Sequence, residues 1–357
     1  MNESQLFPAS VIGSMPRSAF VKDLIADNPE TLPDDLDRHM DDAVRYIVAL
    51  QEQAGVDVVT DGEWRRKSYI GVIAELAHGF ELSSNPEDGR PWTIVTEKLS
   101  PYRPGFIADE ITFLRKITSK RIKATLPSPA LLGERMWCPV KSTKAYSTRE
   151  EFVLDCLPIL RKEVELLIKA GADLIQIDDP HLCLFVDPKV REQYDQPDKA
   201  ADFATDVVNQ LVDGFTGTRF AVHLCRRAGA RGRGEEDHQG SFDTILPQLN
   251  RLNVSHLTLE FTTPGAGEFK VLKQLREDFE IGLGCVDVTP GQIDEPETIV
   301  QRVVKATEYI APERITLNPD CGFSPGSGAV VSLDEAYQKL QNEVIAAKIL
   351  RKQFGDS

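Results

Sequence analysis

Residues 166–180 read LLIKAGADLIQIDDP, in which an apolar helical stretch meets Gly171, a short apolar run follows, and two aspartates close the segment. A glycine directly after a helix readily takes the left-handed cap conformation, so the pattern predicts a helix and then a strand that ends near Asp178. Residues 51–63, QEQAGVDVVTDGE, repeat the arrangement and end on Asp61 and Glu63. Two such units predict a parallel sheet whose strands finish on acidic side chains.

Apolar runs typical of strands recur along the whole chain. They cover residues 10–13, 56–60, 121–126, 173–177, 219–224, 256–259, 281–286 and 314–317. Helical patterns lie between most of them, and Thr148, Asp294 and Ser332 are each followed three residues later by Glu, a helix-start signal. Eight alternating units predict a (β/α)8 TIM barrel, with a doubly wound open sheet as the competing fold.

The connection after the second strand is too long for a simple barrel. Residues 79–95, GFELSSNPEDGRPWTIV, contain turn-forming residues between two strand-like runs, which predicts a hairpin. We interpret residues 64–120 as an excursion of the barrel and residues 1–357 as a single catalytic domain.

The composition limits the classes of partner. The formal net charge is −15, and nucleic acids and anionic membrane surfaces call for basic patches instead. No apolar stretch approaches the ~18 residues of a membrane span, and no signal peptide pattern is visible. The six cysteines are scattered through a large acidic chain, unlike a disulfide scaffold. We therefore expect a cytoplasmic protein that acts on small molecules.

The run RFAVHLC at 219–225 places His223 and Cys225 two positions apart at the end of a predicted strand. Residues i and i+2 of a strand project from the same face, so the two side chains can bind one metal ion. The alternative is a buried thiol beside a hydrogen-bonded core histidine.

Other polar side chains follow the remaining predicted strands, at the end where the active sites of such barrels form. They are Ser14, Asp61, Glu63, Ser128, Asp178, Asp179, Glu260, Asp287, Asp320 and Cys321. Imidazole, thiolate and carboxylate are all ligands of zinc, so His223, Cys225, Glu260 and Cys321 form a candidate zinc site. The last strand of a barrel closes against the first, which lets Cys321 reach across the mouth.

Several of these motifs resemble the catalytic barrel of cobalamin-independent methionine synthase. They are IGSMP at 12–16, DGE at 61–63, QIDDP at 176–180, HLC at 223–225, Glu260, IGLG at 281–284 and NPDCG at 318–322. The resemblance runs from near residue 10 to near Arg351, and its most specific pieces are the HLC pair and the NPDCG run.

The resemblance implies a zinc-dependent transferase, involved in methionine biosynthesis, that moves a methyl or other alkyl group to a thiol. It implies that His223, Cys225, Glu260 and Cys321 bind the zinc. It further implies that Ile12, Gly13 and Ser14 hold the carboxylate of a homocysteine-like acceptor. Glu63 and Asp178 would hold the acceptor's amino group, and their alternative is a capping or structural role.

Two features depart from the family pattern. Thr289, in CVDVTPG, stands where the folate-using enzymes carry a His, which places methyl-folate as the donor in doubt. The Gly-rich loop RRAGARGRGEED at 226–237 carries Arg226, Arg227, Arg231 and Arg233 on the predicted rim. Arg226 and Arg227 are candidate anion-binding residues, because guanidinium groups bind carboxylates, sulfonates and phosphates bidentately; the alternative is a solvated loop.

Other functions remain open at this point. An anion clamp would suit the family branch in which a thiol such as coenzyme M is joined to an epoxide. A zinc hydrolase would use the metal to activate water, although two thiolates make the ion a weaker Lewis acid. A non-catalytic zinc-binding protein would explain the ligands but not Ser14, Glu63 and Asp178. A corrinoid-linked or decarboxylase-like barrel without metal is disfavoured by the His, Cys and Glu set.

Overall fold

The computed structural model describes residues 5–26, 35–84, 91–226, 238–324 and 331–355. Its strands are β1 Val58–Val59, β2 Ala77–Ser84, β3 Pro91–Pro101, β4 Arg121–Pro127, β5 Leu174–Asp178, β6 Arg219–Leu224, β7 His256–Glu260, β8 Glu280–Val286 and β9 Ile315–Pro319. Seven of them form one sheet in the order β1-β4-β5-β6-β7-β8-β9, with every pair parallel.

The N-terminal segment closes this sheet on itself. Ala9 bridges Leu317 of β9, and Ser10 bridges Val58 of β1, both in the parallel sense. The amide of Ser10 also donates to the carbonyl of Leu317 at 3.1 Å. The predicted strand at 10–13 is therefore reduced to a short bridging segment, and the sheet curls into the predicted (β/α)8 barrel.

Helices alternate with the strands. They are α1 Ala19–Ile25, α2 Leu36–Ala54, α3 Ile73–Leu76, α4 Phe106–Ile117, α5 Pro129–Met136, α6 Arg149–Ala170, α7 Pro180–Leu184, α8 Pro188–Arg191, α9 Pro197–Val212, α10 Leu246–Arg251, α11 Pro296–Thr307 and α12 Leu333–Gly355. No helix in the described ranges is long and apolar enough to span a bilayer.

In both of the helix–strand units that indicated the fold, a glycine ends the helix just before the strand. Helix α2 ends at Gly55 with φ 97°, and α6 ends at Gly171 with φ 90°. Both angles lie in the left-handed region, which glycine enters without the steric cost of a Cβ. Each helix therefore stops sharply, and the chain turns directly into β1 or β5.

The connection after β1 contains the predicted hairpin. Strands β2 and β3 pair antiparallel, with Phe80 opposite Val95. The hairpin contacts the segment before α6 through Tyr146, whose hydroxyl accepts from the Leu99 amide at 2.7 Å. The connection then returns through α4, which packs against α6 and β4.

Side chains on the barrel's inner face are unusually polar. Gln176 and Asp178 of β5 alternate with Ile175 and Ile177, and all four are buried. Because alternate residues share a face, the isoleucines pack towards the helices while the polar pair lies inside. This alternation delivers Asp178 to the carboxyl end of the strand, where the site forms.

Candidate metal and substrate site

Three metal-ligating side chains meet at the carboxyl ends of β6 and β9. One ligand atom from each of His223, Cys225 and Cys321 lies within 4.8 Å of the others. The two Sγ atoms are 3.5 Å apart, and all three residues are buried. The six cysteines, all within the described ranges, form no disulfide. Burial and proximity of two thiols and an imidazole make this cluster a possible metal site.

Asp178 fixes the orientation of the His223 ring. Its Oδ1 lies 2.9 Å from His223 Nδ1 and accepts from Gln176 Nε2 at 2.8 Å. Burial lowers the pKa of His223, but the hydrogen bond to Asp178 and the proximity of Cys225 outweigh it, so the pKa is raised overall. A carboxylate next to Nδ1 favours the tautomer with the proton on Nδ1. The lone pair of Nε2 is then left to bind a metal.

Glu260 stands beside this cluster, at the end of β7. Its carboxylate is fully buried, and its Oε2 accepts from the Arg226 amide at 2.8 Å. Among the residues that the structure describes, the group whose ligand atoms converge within 4.8 Å comprises the imidazole and the two thiols, without Glu260. The structure thus brings three of the four predicted ligands together, and metal ligation by Glu260 stays a prediction.

Glu63 lies in a strained turn after β1. Its φ is 58°, a left-handed conformation that non-glycine residues adopt at a cost and that clusters at functional sites. Its Oε1 accepts from Thr125 Oγ1 at 2.8 Å. Burial raises the pKa of Glu63; Arg66 opposes that rise, while the negative charge of Asp178 adds to it.

The segment at 12–14 completes this side of the site. A Cβ on Gly13 would stand 2.8 Å from Glu63 Oε1, so only glycine lets the two segments approach this closely. The Ile12 carbonyl accepts from Gln176 Nε2 at 3.2 Å, and the same amide group holds Asp178. The Ser14 hydroxyl accepts from the amide of Ser324 at 3.2 Å, which ties this segment to the loop that carries Cys321.

A buried ion pair supports Glu63 from below, and sequence reasoning missed it. Arg66 is 2% exposed and donates from Nε and Nη2 to the carboxylate of Glu110 on α4, at 2.7 Å for the shortest contact. It also donates to Thr125 Oγ1 at 2.9 Å, the hydroxyl that binds Glu63. Partners 44 residues apart leave no spacing signal in the sequence.

Arg226, a candidate anion-binding residue, turns its side chain into the protein. Its side chain is buried, with the guanidinium over the Phe242 ring at 4.2 Å. It donates to the carbonyls of Glu260, Gly240 and Ala266 at 3.2, 2.9 and 3.1 Å. Nη1 and Nη2 thus bind the backbone, whereas the buried Nε makes no hydrogen bond within the described ranges; these contacts give Arg226 a bracing role, and anion binding by Arg226 stays a prediction. Arg227 and residues 228–237 lie outside the described residues.

Comparison with known proteins gives consistent matches over the whole chain. Residues 7–349 match the family model described as cobalamin-independent synthase, catalytic domain. A methionine synthase of Saccharolobus solfataricus is 27% identical over 364 residues, covering 99% of this chain and 98% of the relative. That of Sulfurisphaera tokodaii is also 27% identical and covers 99% and 95%.

Solved structures agree on the fold. A B12-independent methionine synthase from Shewanella sp. W3-18-1, in complex with selenomethionine, superposes with a TM-score of 0.80 at 23% identity. The match covers 99% of this chain and all of that chain. A second structure, of the vitamin-B12-independent methionine synthase from Listeria monocytogenes described as putative, gives a TM-score of 0.73 at 23% identity, covering 97% and 99%.

Proposed function

Because the chain belongs to the family of cobalamin-independent synthase catalytic domains, we propose that it transfers a methyl group to the sulfur of homocysteine with the help of zinc. The cluster of His223, Cys225 and Cys321 carries this proposal. Methionine synthases that align with the chain from end to end support it.

The donor set and its geometry fit zinc. Two sulfurs at about 2.3 Å from a tetrahedral zinc ion lie about 3.8 Å from each other. The Sγ atoms of Cys225 and Cys321 are 3.5 Å apart, close to that separation and far from the ~2.05 Å of a disulfide. Soft thiolates together with an imidazole select zinc over the hard cations magnesium and calcium. Glu260 would complete the set.

Zinc bound there would keep the acceptor sulfur deprotonated at neutral pH, since a free thiol has a pKa near ~8.5. Glu260 would be the one oxygen ligand among softer partners, and so the one most readily replaced by the acceptor sulfur. The Arg226 amide binds Glu260 Oε2 at 2.8 Å. That amide would keep the Glu260 carboxylate hydrogen-bonded whether or not it binds the metal.

The rest of homocysteine would bind opposite the cluster. Glu63 and Asp178 would accept from its ammonium group, and the backbone of residues 12–14 would hold its carboxylate. The two carboxylates are buried and close enough that Asp178 raises the pKa of Glu63. A bound cation relieves such like-charge repulsion. Held in this way, homocysteine would point its sulfur towards the zinc ligands.

Two further proposals concern the whole molecule. We take residues 1–357 as one barrel domain with residues 64–120 as its excursion, supported by the Arg66–Glu110 pair and by the Tyr146–Leu99 contact. We also place the protein in the cytoplasm, because six cysteines scattered through a large acidic chain are unlike the disulfide scaffold of a secreted protein. Its partners would be a small thiol and a small methyl or alkyl donor.

Calorimetry with two thiols tests the substrate assignment. Zinc-loaded protein should bind homocysteine at least ~100-fold more tightly than 4-mercaptobutanoate, which lacks the amino group, because a site built for a polar group rejects the analogue without it. The Glu63→Gln variant should lose most of this discrimination. The control is Glu163→Gln, a buried carboxylate outside the predicted substrate-binding set that accepts from the amides of Gly105, Ile107 and Ala108 at the start of α4.

Equal affinity for the two thiols in the wild type would exclude an amino-acid acceptor. It would favour the branch of the family that joins a different thiol to an alkyl donor. Loss of discrimination in Glu163→Gln as well would show that the variants report on stability instead of recognition.

A further inference from the structure

Asp320 lies between the predicted metal ligands and contacts more than one of the loops that carry them. It directly precedes Cys321 in the chain and is 1% exposed. Its Oδ1 accepts from the amides of Phe261 and Thr262 at 3.3 and 3.4 Å. Its Oδ2 accepts from the Thr262 hydroxyl. Phe261 and Thr262 directly follow Glu260, so one side chain joins the Cys321 loop to the Glu260 loop.

The same residue also reaches the third loop. Its backbone carbonyl lies 3.3 Å from His223 Nε2, which places the two segments side by side but makes no hydrogen bond while Nε2 keeps the lone pair that the Asp178 contact leaves for a metal. Its amide donates to the carbonyl of Val286 at 3.0 Å, which fixes the start of the loop against β8. Asp320 therefore contacts or adjoins the segments of His223, Glu260 and Cys321 at once.

The Asp320 side chain crosses a strand to make these contacts. Strands β7 and β9 are not neighbours, because β8 lies between them. The crossing occurs above Gly284 of β8, where an added Cβ would stand 2.8 Å from Asp320 Oδ1 and 2.7 Å from the Leu259 carbonyl. The glycine is required here for space, which explains the second glycine of the IGLG motif.

Similar cross-links join the other loops of the rim. Glu260 binds the Arg226 amide, which adjoins Cys225, and Ser14 binds the Ser324 amide in the Cys321 loop. Each contact runs from a side chain of one loop to the backbone of another. Outer contacts of this kind orient metal ligands, and their loss costs about 10–100-fold in metal affinity.

We propose that Asp320 is a positioning residue that locks the Glu260 and Cys321 loops together across β8, so that the metal ligands are in place before the metal binds. This inference rests on the proposed zinc site. Asp320 holds the ligands through the backbone and is not itself assigned as a ligand or as a catalytic residue.

The test compares metal affinity, by competition with a chromogenic chelator, and the visible spectrum of the cobalt-substituted protein. Asp320→Ala should weaken zinc binding about 10–100-fold and shift the cobalt bands, which report ligand geometry. Asp320→Asn should recover most of the affinity, because its oxygen can accept from both amides while its NH2 group donates to the Thr262 hydroxyl.

Glu163→Ala is the matched control. It removes another fully buried carboxylate that accepts from three backbone amides, but these amides start α4 and lie away from the metal loops. It should lower stability while leaving zinc affinity and the cobalt spectrum unchanged. A purely structural role for Asp320 would make the two alanine variants behave alike.

A second pair of variants keeps the test decisive if Asp320→Ala does not fold. Thr262→Val removes only the hydroxyl donor and should weaken zinc binding, whereas Thr262→Ser should behave as the wild type. Wild-type affinity and spectrum in both Thr262→Val and any folded Asp320→Ala would overturn the proposal. Failure of the zinc site itself is a separate result, since Cys321→Ser would then retain the metal.

Discussion

The two ends of the barrel use carboxylates in opposite ways. At the amino end, acidic residues at the starts of strands pair with arginines: Asp57 with Arg351, Asp173 with Arg115, and Glu280 with Arg219, at 2.7, 2.5 and 2.6 Å. These pairs are partly exposed to solvent. Such pairs join neighbouring segments and stabilise the fold modestly.

At the carboxyl end, the carboxylates are buried and bind different groups. Asp178 bonds an imidazole, Glu260 a backbone amide, and Asp320 two amides and a hydroxyl. The contact with Cys225 and burial raise the pKa of the Cys321 thiol, and Glu260 and Asp178 lie close enough to raise it further. The buried Arg66–Glu110 pair supports Glu63 at the same end. Changes at the amino end should therefore alter stability first, whereas changes at the carboxyl end should alter metal and substrate binding first.

Removal of a thiol from the rim should have the largest effect. Cys321→Ser should weaken zinc binding by more than ~100-fold, because loss of a ligand exceeds the 10–100-fold cost of losing a supporting contact. Cys285→Ser changes an equally buried thiol on β8 and should keep full zinc content. Zinc is measured by elemental analysis after dialysis. Full occupancy in Cys321→Ser would remove this residue from the ligand set.

Removing one carboxylate at each end of the barrel tests this difference between the ends. Asp178→Ala should weaken zinc binding about 10–100-fold, since His223 loses the group that orients its ring. Glu280→Ala should lower the melting temperature with no change in zinc affinity. Chelator competition and thermal unfolding are measured on both proteins. An equal loss of zinc affinity in the two variants would abolish the distinction between the ends.

Arg226 tests whether a rim arginine can serve stability. Arg226→Met should lower the free energy of unfolding by about 1–3 kcal/mol, because buried carbonyls lose their donors. Substrate binding by the folded variant should change little. Denaturant titration and calorimetry give the two quantities. Unchanged stability together with weaker binding of an anionic substrate would indicate that Arg226 binds the anion.

Lys123 lies inside the barrel between the two ends, and changing it should alter only the pH dependence of stability. Burial lowers the pKa of its amine to about 7, against the opposing attraction of Asp178. The unfolded chain keeps its proton up to about pH 10.4, so this group adds stability as pH rises from about 7 towards 10. Lys123→Met should reduce that slope by up to one proton, about 1.4 kcal/mol per pH unit.

Denaturant unfolding between pH 7 and 10 measures this slope. Lys116→Met, a change of an exposed lysine on α4, should leave it unaltered. Identical slopes in the wild type and Lys123→Met would mean that the buried amine keeps its charge throughout this range.

Most of the barrel could be predicted from sequence, because strand runs and helix signals are local. Thr148 and Ser332 are confirmed as helix caps, with side chains that accept from the amides of Glu151 and Glu335. The cap at Asp294 was wrong. Its carboxylate instead binds Arg302 at 2.7 Å, and α11 begins at Pro296 after Glu295. An ion pair with Arg302, eight residues further along the chain, took the place of the cap.

The residues of the site likewise fall into those that local patterns predict and those that depend on contacts between distant segments. The His223 and Cys225 pair follows from strand alternation, and Cys321 from closure of the last strand against the first. The roles of Asp320, Arg66 and Gln176 could not be predicted, because each depends on contacts between segments that only the barrel brings together. The Asp320 side chain, for example, binds a hydroxyl 58 residues away, across an intervening strand.

X-ray absorption at the zinc edge, with and without homocysteine, tests most directly whether the rim activates a thiol. The wild-type protein alone should show two sulfur neighbours at the zinc, from Cys225 and Cys321. Saturating homocysteine should add one sulfur scatterer, whereas 4-mercaptobutanoate at the same concentration should add much less. Protein without zinc, or a zinc spectrum unchanged by saturating homocysteine, would contradict the assignment of this rim as a thiol methyltransferase site.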